Sequence, residues 1–374
     1  MSTPTPTPSS PDHEDHPPPA SEIVVSEASR AYAQLFIDAR PPPDTPLAEA
    51  LAISREHCVT VARRVGGPIE PVRRVDELTL PTIDGSGQSF AVRVYLPTLF
   101  DEEEEQAPAS SQPPKKKLGV ILYVHGGGTM MGCLPSYDSL CRRLAVRSGS
   151  CVVSVGYRLS PEHPYPSGLR DCEAAYRWMV GPLATELYPE VLDPARAAVV
   201  GDSAGGHMLA ALLVRLQRYG GDFHLHHRPK CAVLVYPGLD FTLTVPSFQK
   251  YGACGHLNPK SMAVMLRAYL AAPEDPTRYR EELLTDPEVS VLFLPQEEVA
   301  ATFPPTLLLA AELDPIADDT AAFAPKLEAA GVPVRRVLYR GVIHGFWSGW
   351  DMFAEAAAAL DEACRWLREY GVGQ

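Results

Sequence analysis

The chain predicts a doubly wound α/β fold, and three observations carry that prediction. Short, nearly continuous apolar runs recur at Gly119–Val124, Cys151–Val155, Ala197–Val200, Cys231–Tyr236, Thr306–Ala310 and Val337–Tyr339. Runs without polar alternation fit strands covered on both faces, as parallel strands are. Helix-period stretches lie between them, and this strand–helix alternation continues from residue 118 almost to the C-terminus. The length, 374 residues, is ample for a core without disulfide or metal support and fits one large α/β domain with an appendage or two to three domains.

From the N-terminus, residues 1–20 mix Pro, Ser, Thr, Asp and His with almost nothing to bury, which predicts a disordered tail. Over 21–64, Tyr32, Leu35, Phe36 and Ile37, then Leu47, Leu51 and Ile53, recur at helical spacings around Pro41-Pro42-Pro43. This predicts two short helices flanking a proline-rich turn. A strand is expected at Ser89–Leu96. Residues 101–117, DEEEEQAPASSQPPKKK, read as a charged, solvated surface loop.

After Ser203, Met208, Leu209, Leu212, Leu213 and Leu216 keep one apolar helix face, and Gly220-Gly221 stop it. Phe353, Ala356, Leu360, Ala363 and Leu367 repeat the pattern before Gly371. Residues 242–300 break the rhythm, with a helical piece at Met262–Leu270 and little strand signal, and read as an insertion. That divides the α/β core into 65–241 and 301–374.

Composition narrows the function. The net charge is −13, from 46 acidic against 33 basic residues, the reverse of what a nucleic-acid partner would select. No apolar run reaches the length of a membrane span, and the N-terminus lacks the basic start and apolar stretch of a secretory signal. The eight cysteines are scattered without a CxxC pair and read as reduced thiols, so a soluble, cytoplasmic protein is expected. His224-Leu225-His226-His227 lacks further ligands at metal-site spacing and reads as a surface loop. Cys133 has no base beside it and reads as packing.

Four constellations follow predicted strands, where open α/β sheets place ligands. Gly201-Asp202-Ser203-Ala204-Gly205-Gly206 fits G-x-S-x-G between a strand and a helix, the setting of a nucleophilic serine on a strained turn. His125-Gly126-Gly127-Gly128 follows Val124. The amides of Gly126 and Gly127, with that of Ala204, could form an oxyanion hole, and His125 reads as a brace for the loop. Asp314-Pro315-Ile316 follows the 306–310 run, and His344-Gly345-Phe346 follows the 337–339 run. A lone Asp-Pro or a lone His is usually structural. Ser203, Asp314 and His344 in this order, each after its own strand, read instead as a catalytic triad.

With these motifs in hand the chain resembles the hormone-sensitive-lipase-like carboxylesterases of the α/β-hydrolase superfamily. Tyr157-Arg158-Leu159-Ser160-Pro161-Glu162-His163-Pro164-Tyr165-Pro166 is similar to a further family segment, and Asp318 also fits. Where the family commonly has an aromatic residue after HGGG, this chain has Thr129, then Met130 and Met131.

The resemblance implies an α/β-hydrolase fold with a mostly parallel central sheet flanked by helices. It also implies a helical cap built from 21–64 and 242–300, and a serine esterase acting on small to medium acyl esters without metal or organic cofactor. Met130, Met131 and Phe346 are the expected pocket contributors. The partner is then a small-molecule ester, with a homodimer left open. Alternatives on the same scaffold are a non-hydrolytic lyase or cyclase, an amide or formamide hydrolase, and a small-molecule receptor.

Overall fold

The computed structural model describes residues 23–42, 44–98, 117–189, 192–272 and 274–374. The tail 1–20 and the charged loop 101–117, apart from Lys117, lie outside the described residues. Ten strands are described: β1 Arg74–Pro81, β2 Ser89–Leu96, β3 Leu118–Val124, β4 Cys151–Gly156, β5 Leu192–Asp202, β6 Ala232–Val235, β7 Ala271–Ala272, β8 Asp275–Tyr279, β9 Thr306–Leu313 and β10 Val334–Ile343. Eight form one sheet in the order β1-β2-β4-β3-β5-β6-β9-β10, and β7 pairs with β8. Pairing is parallel from β4 through β10 and antiparallel where β2 joins β1 and β4.

The helices are α1 Glu27–Asp38, α2 Leu47–Val65, α3 Asp138–Ser148, α4 Ser167–Val180, α5 Pro182–Leu187, α6 Ala204–Tyr219, α7 Asp222–His226, α8 Pro246–Tyr251, α9 Pro259–Tyr269, α10 Gln296–Thr302, α11 Ala317–Ala329 and α12 Ala354–Glu369. Among the described residues, none is long and apolar enough to cross a membrane.

The central strand β3 shows why the runs lack polar alternation. Side chains alternate across a sheet, and here both faces are covered. Val120, Leu122 and Val124 face a core built with α4, α6 and α11. Ile121 and Tyr123 face a second core built with α3 and α12. All seven residues of β3 are buried, and each large aliphatic side chain so placed contributes about 1.5–3 kcal/mol.

Edge strands were harder to anticipate. β1 lay outside the expected strands because only Leu80 of its eight residues is buried. β10 extends well beyond 337–339 because most of it is only half-buried. The boundary at 300 falls inside α10, whose Val299, with Phe303 just beyond, joins the main core. The His224–His227 stretch, expected as a loop, is mostly the short helix α7.

The two helices expected in 21–64 are α1 and α2. Ser26 caps α1 by accepting from the Ser29 amide. Both helices reach the carboxyl ends of the strands: Tyr32 Oη donates to the Gly345 carbonyl at 3.0 Å, and Arg55 Nε to the Met130 carbonyl at 2.8 Å. In 242–300, α9 starts at Pro259 behind an Asn258–Ser261 capping box. Asp318 at the start of α11 ties α8 to the core by accepting from the Ser247 amide at 2.8 Å.

Candidate active site

β5 delivers Ser203 at a sharp turn into α6. Its backbone is held at φ 53°, ψ −122°, a strained conformation that lifts the side chain clear of the sheet. The turn closes because its neighbours are glycines. A Cβ on Gly205 would lie 2.0 Å from the Val124 carbonyl oxygen, and one on Gly201 would lie 2.8 Å from it. The Ser203 amide is anchored to the Val235 carbonyl at 2.8 Å.

β10 ends immediately before His344 and β9 immediately before Asp314. Ser203 Oγ lies 2.7 Å from His344 Nε2, and His344 Nδ1 lies 2.6 Å from Asp314 Oδ2. Asp314 is wholly buried, and its other oxygen accepts the Ile316 amide at 3.0 Å. With Nδ1–H donating to Asp314, Nε2 is left to accept the serine proton. Tyr236 backs the imidazole at a ring separation of 4.6 Å.

The glycine loop differs from expectation at one position. The Gly126 amide, expected in the oxyanion hole, donates to Asp202 Oδ1 at 3.1 Å. It cannot serve a substrate while so committed. The amides of Gly127, Gly128 and Ala204 have no acceptor among the described residues, and Gly127 and Gly128 take positive φ values of 116° and 60° that suit glycine. His125 braces the loop, its ring stacked on Tyr157 at 4.4 Å and its Nδ1 2.8 Å from the Gly126 carbonyl. Burial pushes its pKa down to about 4, so it stays neutral.

Asp202, which the motif contained without a role legible in the sequence, is the hub of this loop's hydrogen bonds. Tyr123 Oη donates to its Oδ1 at 2.6 Å, and Tyr137 Oη to its Oδ2 at 3.2 Å. Burial pushes its pKa up to about 6 despite these donors.

Two cavities meet at Ser203. The larger, about 260 Å³, is bordered by Ser203, His344, Gly127, Tyr32, His57 and His256, with Met131 on its wall. The smaller, about 70 Å³, is bordered by Ala204, Thr129, Phe241, Leu243, Met262 and Tyr269. Gly128, Leu257 and Met265 border both. Of the expected pocket residues, only Met131 lines a cavity. Met130 is buried away from both, and Phe346 is fully buried against Tyr236 and Tyr339. Nearly half of the lining comes from α1, α2 and 242–300, whose sequence carries no motif. Among the described residues, no group of three or more His, Cys, Asp or Glu is placed to hold a metal.

Residues 121–348 match the family model Abhydrolase_3, described as an alpha/beta hydrolase fold. The chain is 33% identical over 298 residues to an ethyl acetate hydrolase of Pseudomonas putida, covering 79% of this chain and 83% of that protein. It is 34% identical over 276 residues to carboxylesterase NlhH of Mycobacterium tuberculosis, covering 74% and 76%. Among solved structures, a hyperthermophilic esterase from Pyrobaculum calidifontis superposes with a TM-score of 0.74 at 27% identity, covering 94% of this chain and 100% of that one.

Proposed function

The chain belongs to the Abhydrolase_3 family of α/β-hydrolases, and from that premise we propose that it is a serine carboxylesterase for short-acyl esters, working through Ser203, His344 and Asp314. The observation that carries this reading is the continuous chain from Ser203 Oγ through His344 to buried Asp314, at 2.7 and 2.6 Å, beside three amides without acceptors.

Ser203 Oγ attacks the ester carbonyl while His344 Nε2 takes its proton. Asp314 holds the tautomer and stabilises the imidazolium. The amides of Gly127, Gly128 and Ala204 receive the oxyanion, and a single such donor is worth about a hundred- to a thousandfold in kcat. His344 then protonates the leaving alcohol, and water cleaves the acyl-enzyme by the same route in reverse.

Proton delivery orients the substrate. The alcohol oxygen must lie beside His344, which borders the larger cavity and not the smaller. The acyl chain therefore enters the 70 Å³ cavity of Phe241, Leu243, Met262 and Tyr269. An apolar cavity of about 150 Å³ accepts benzene, so the smaller cavity holds roughly three or four carbons. The helices α1 and α2 and the segment 242–300 act as the cap, since they furnish nearly half of the lining of the two cavities.

The test combines a fluorophosphonate label read by intact mass with hydrolysis of a p-nitrophenyl ester series. One adduct, lost in Ser203→Ala, and a rate maximum at acetate to butyrate are expected. Turnover surviving Ser203→Ala would overturn the mechanism, and a maximum at octanoate or beyond would overturn the assignment of the acyl cavity.

A further inference from the structure

We infer that His256 is a specificity-determining residue that hydrogen-bonds an oxygen on the alcohol half of the substrate, which makes the preferred substrates short-acyl esters of hydroxyalkyl alcohols such as glycols. The inference rests on the carboxylesterase reading and on the placement of the alcohol beside His344.

His256 belongs to the 242–300 segment and borders the larger cavity together with His344. The two imidazole centroids are 6.4 Å apart. Its ring is fixed: it stacks on Phe36 of α1 at 4.5 Å and 22° and meets the edge of Tyr32 at 5.8 Å. Its carbonyl accepts from Asn258 Nδ2 at 3.2 Å, which holds the backbone in place.

For all this order, its ring nitrogens are unused. Nδ1 is buried without a partner, and Nε2 has no hydrogen bond among the described residues. A buried polar group left unpaired is costly, so an ordered, unsatisfied imidazole at a cavity wall is a demand for a ligand group. Burial and the neighbouring His344 also keep the ring neutral, with its pKa pushed down to about 3. A neutral ring presents one donor and one acceptor and gives no preference for a charged substrate. It suits a hydroxyl, which can both give and accept.

The spacing selects where that hydroxyl sits. The ester oxygen must lie within hydrogen-bonding reach of His344, so a group that also reaches His256 is displaced by only two or three bonds. A 2-hydroxyethyl ester meets this requirement, and a propyl ester of the same size does not.

The experiment compares kcat/KM for 2-hydroxyethyl butyrate and propyl butyrate. One net hydrogen bond predicts a preference of roughly three- to tenfold for the hydroxyl ester in the native protein. His256→Phe keeps a ring to stack on Phe36 and should bring the ratio to about one. His256→Gln, which retains an amide donor and acceptor, should restore part of it. Fluorophosphonate labelling of each variant checks that the site is assembled. Turnover of both esters at equal kcat/KM by the native protein overturns this inference alone, as does a ratio unchanged in His256→Phe. Turnover of neither ester overturns the carboxylesterase reading and this inference with it.

Discussion

Replacing Asp202 by Asn isolates what its buried charge does to the fold. The carboxyl titrates near 6 in the folded protein because burial opposes its ionisation, whereas its ordinary value is 3.8. The folded state therefore holds this proton to higher pH than the unfolded state does. The corresponding stability is fully present below pH 3.8 and is lost as pH rises through 6. Raising a carboxyl from 3.8 to about 6 amounts to about 3 kcal/mol at 1.36 kcal/mol per pH unit. Asparagine resembles the protonated acid, keeps an oxygen for the Gly126 amide and does not ionise. The stability of native protein minus that of Asp202→Asn should therefore fall by about 3 kcal/mol from well below pH 3.8 to well above pH 6, and by about 2 kcal/mol between pH 4.5 and 7.5. Urea unfolding at half-unit steps from pH 4.5 to 7.5 would capture most of the change. Other titrating groups are common to both proteins and largely cancel in the difference. A difference that stays flat, or rises with pH, would refute the account of Asp202 as a desolvated carboxylate.

Two further substitutions test the elbow and the triad. Gly205→Ala forces a Cβ to within 2.0 Å of the Val124 carbonyl oxygen, backbone that cannot swing aside. A loss of at least about 1–3 kcal/mol should appear as a lower Tm together with reduced esterase activity, and a variant matching the native protein in both would refute the packing argument. Asp314→Asn should keep the fold yet lower kcat about 10⁴-fold by misdirecting the His344 tautomer. A loss below tenfold in steady-state hydrolysis would show that Asp314 does not orient the imidazole.

The central strands were legible because burial on both faces writes an unbroken apolar run, as in β3 and β9. Ser203, Asp314 and His344 were legible for a related reason. Each directly follows or ends a strand, so chain order and strand order together place all three at one rim of the sheet. β1 was not legible, because an edge strand with a single buried residue carries almost no apolar signature. The pocket residues failed differently. Met130 lies two residues beyond the glycine motif and Phe346 ends the His-Gly-Phe motif, but nearness in sequence does not set side-chain direction. Phe346 turns into the core against Tyr339, while Met131, one residue after Met130, faces the cavity.

The oxyanion loop shows where a motif stops being informative. Three successive glycines supply three amides, and spacing alone does not say which of them face a substrate. A carboxylate across the loop decides it. Asp202 takes the Gly126 amide at 3.1 Å, and Gly127 and Gly128, with φ values of 116° and 60°, leave theirs without acceptors. Asp202, the residue preceding Ser203, thus sets the register of the glycine loop, tying the end of β5 to the end of β3. The cavity walls are set farther away, by side chains such as Phe36 and His256 at the larger cavity and Phe241 at the smaller, brought there only through long-range packing. Their segments are anchored to the rim by the Tyr32–Gly345, Arg55–Met130 and Asp318–Ser247 hydrogen bonds. On the proposed function, chemistry and selectivity therefore rest on separable parts of this molecule. Changes in α1, α2 or 242–300 are then expected to alter which ester is accepted while the strand ends keep the reaction the same.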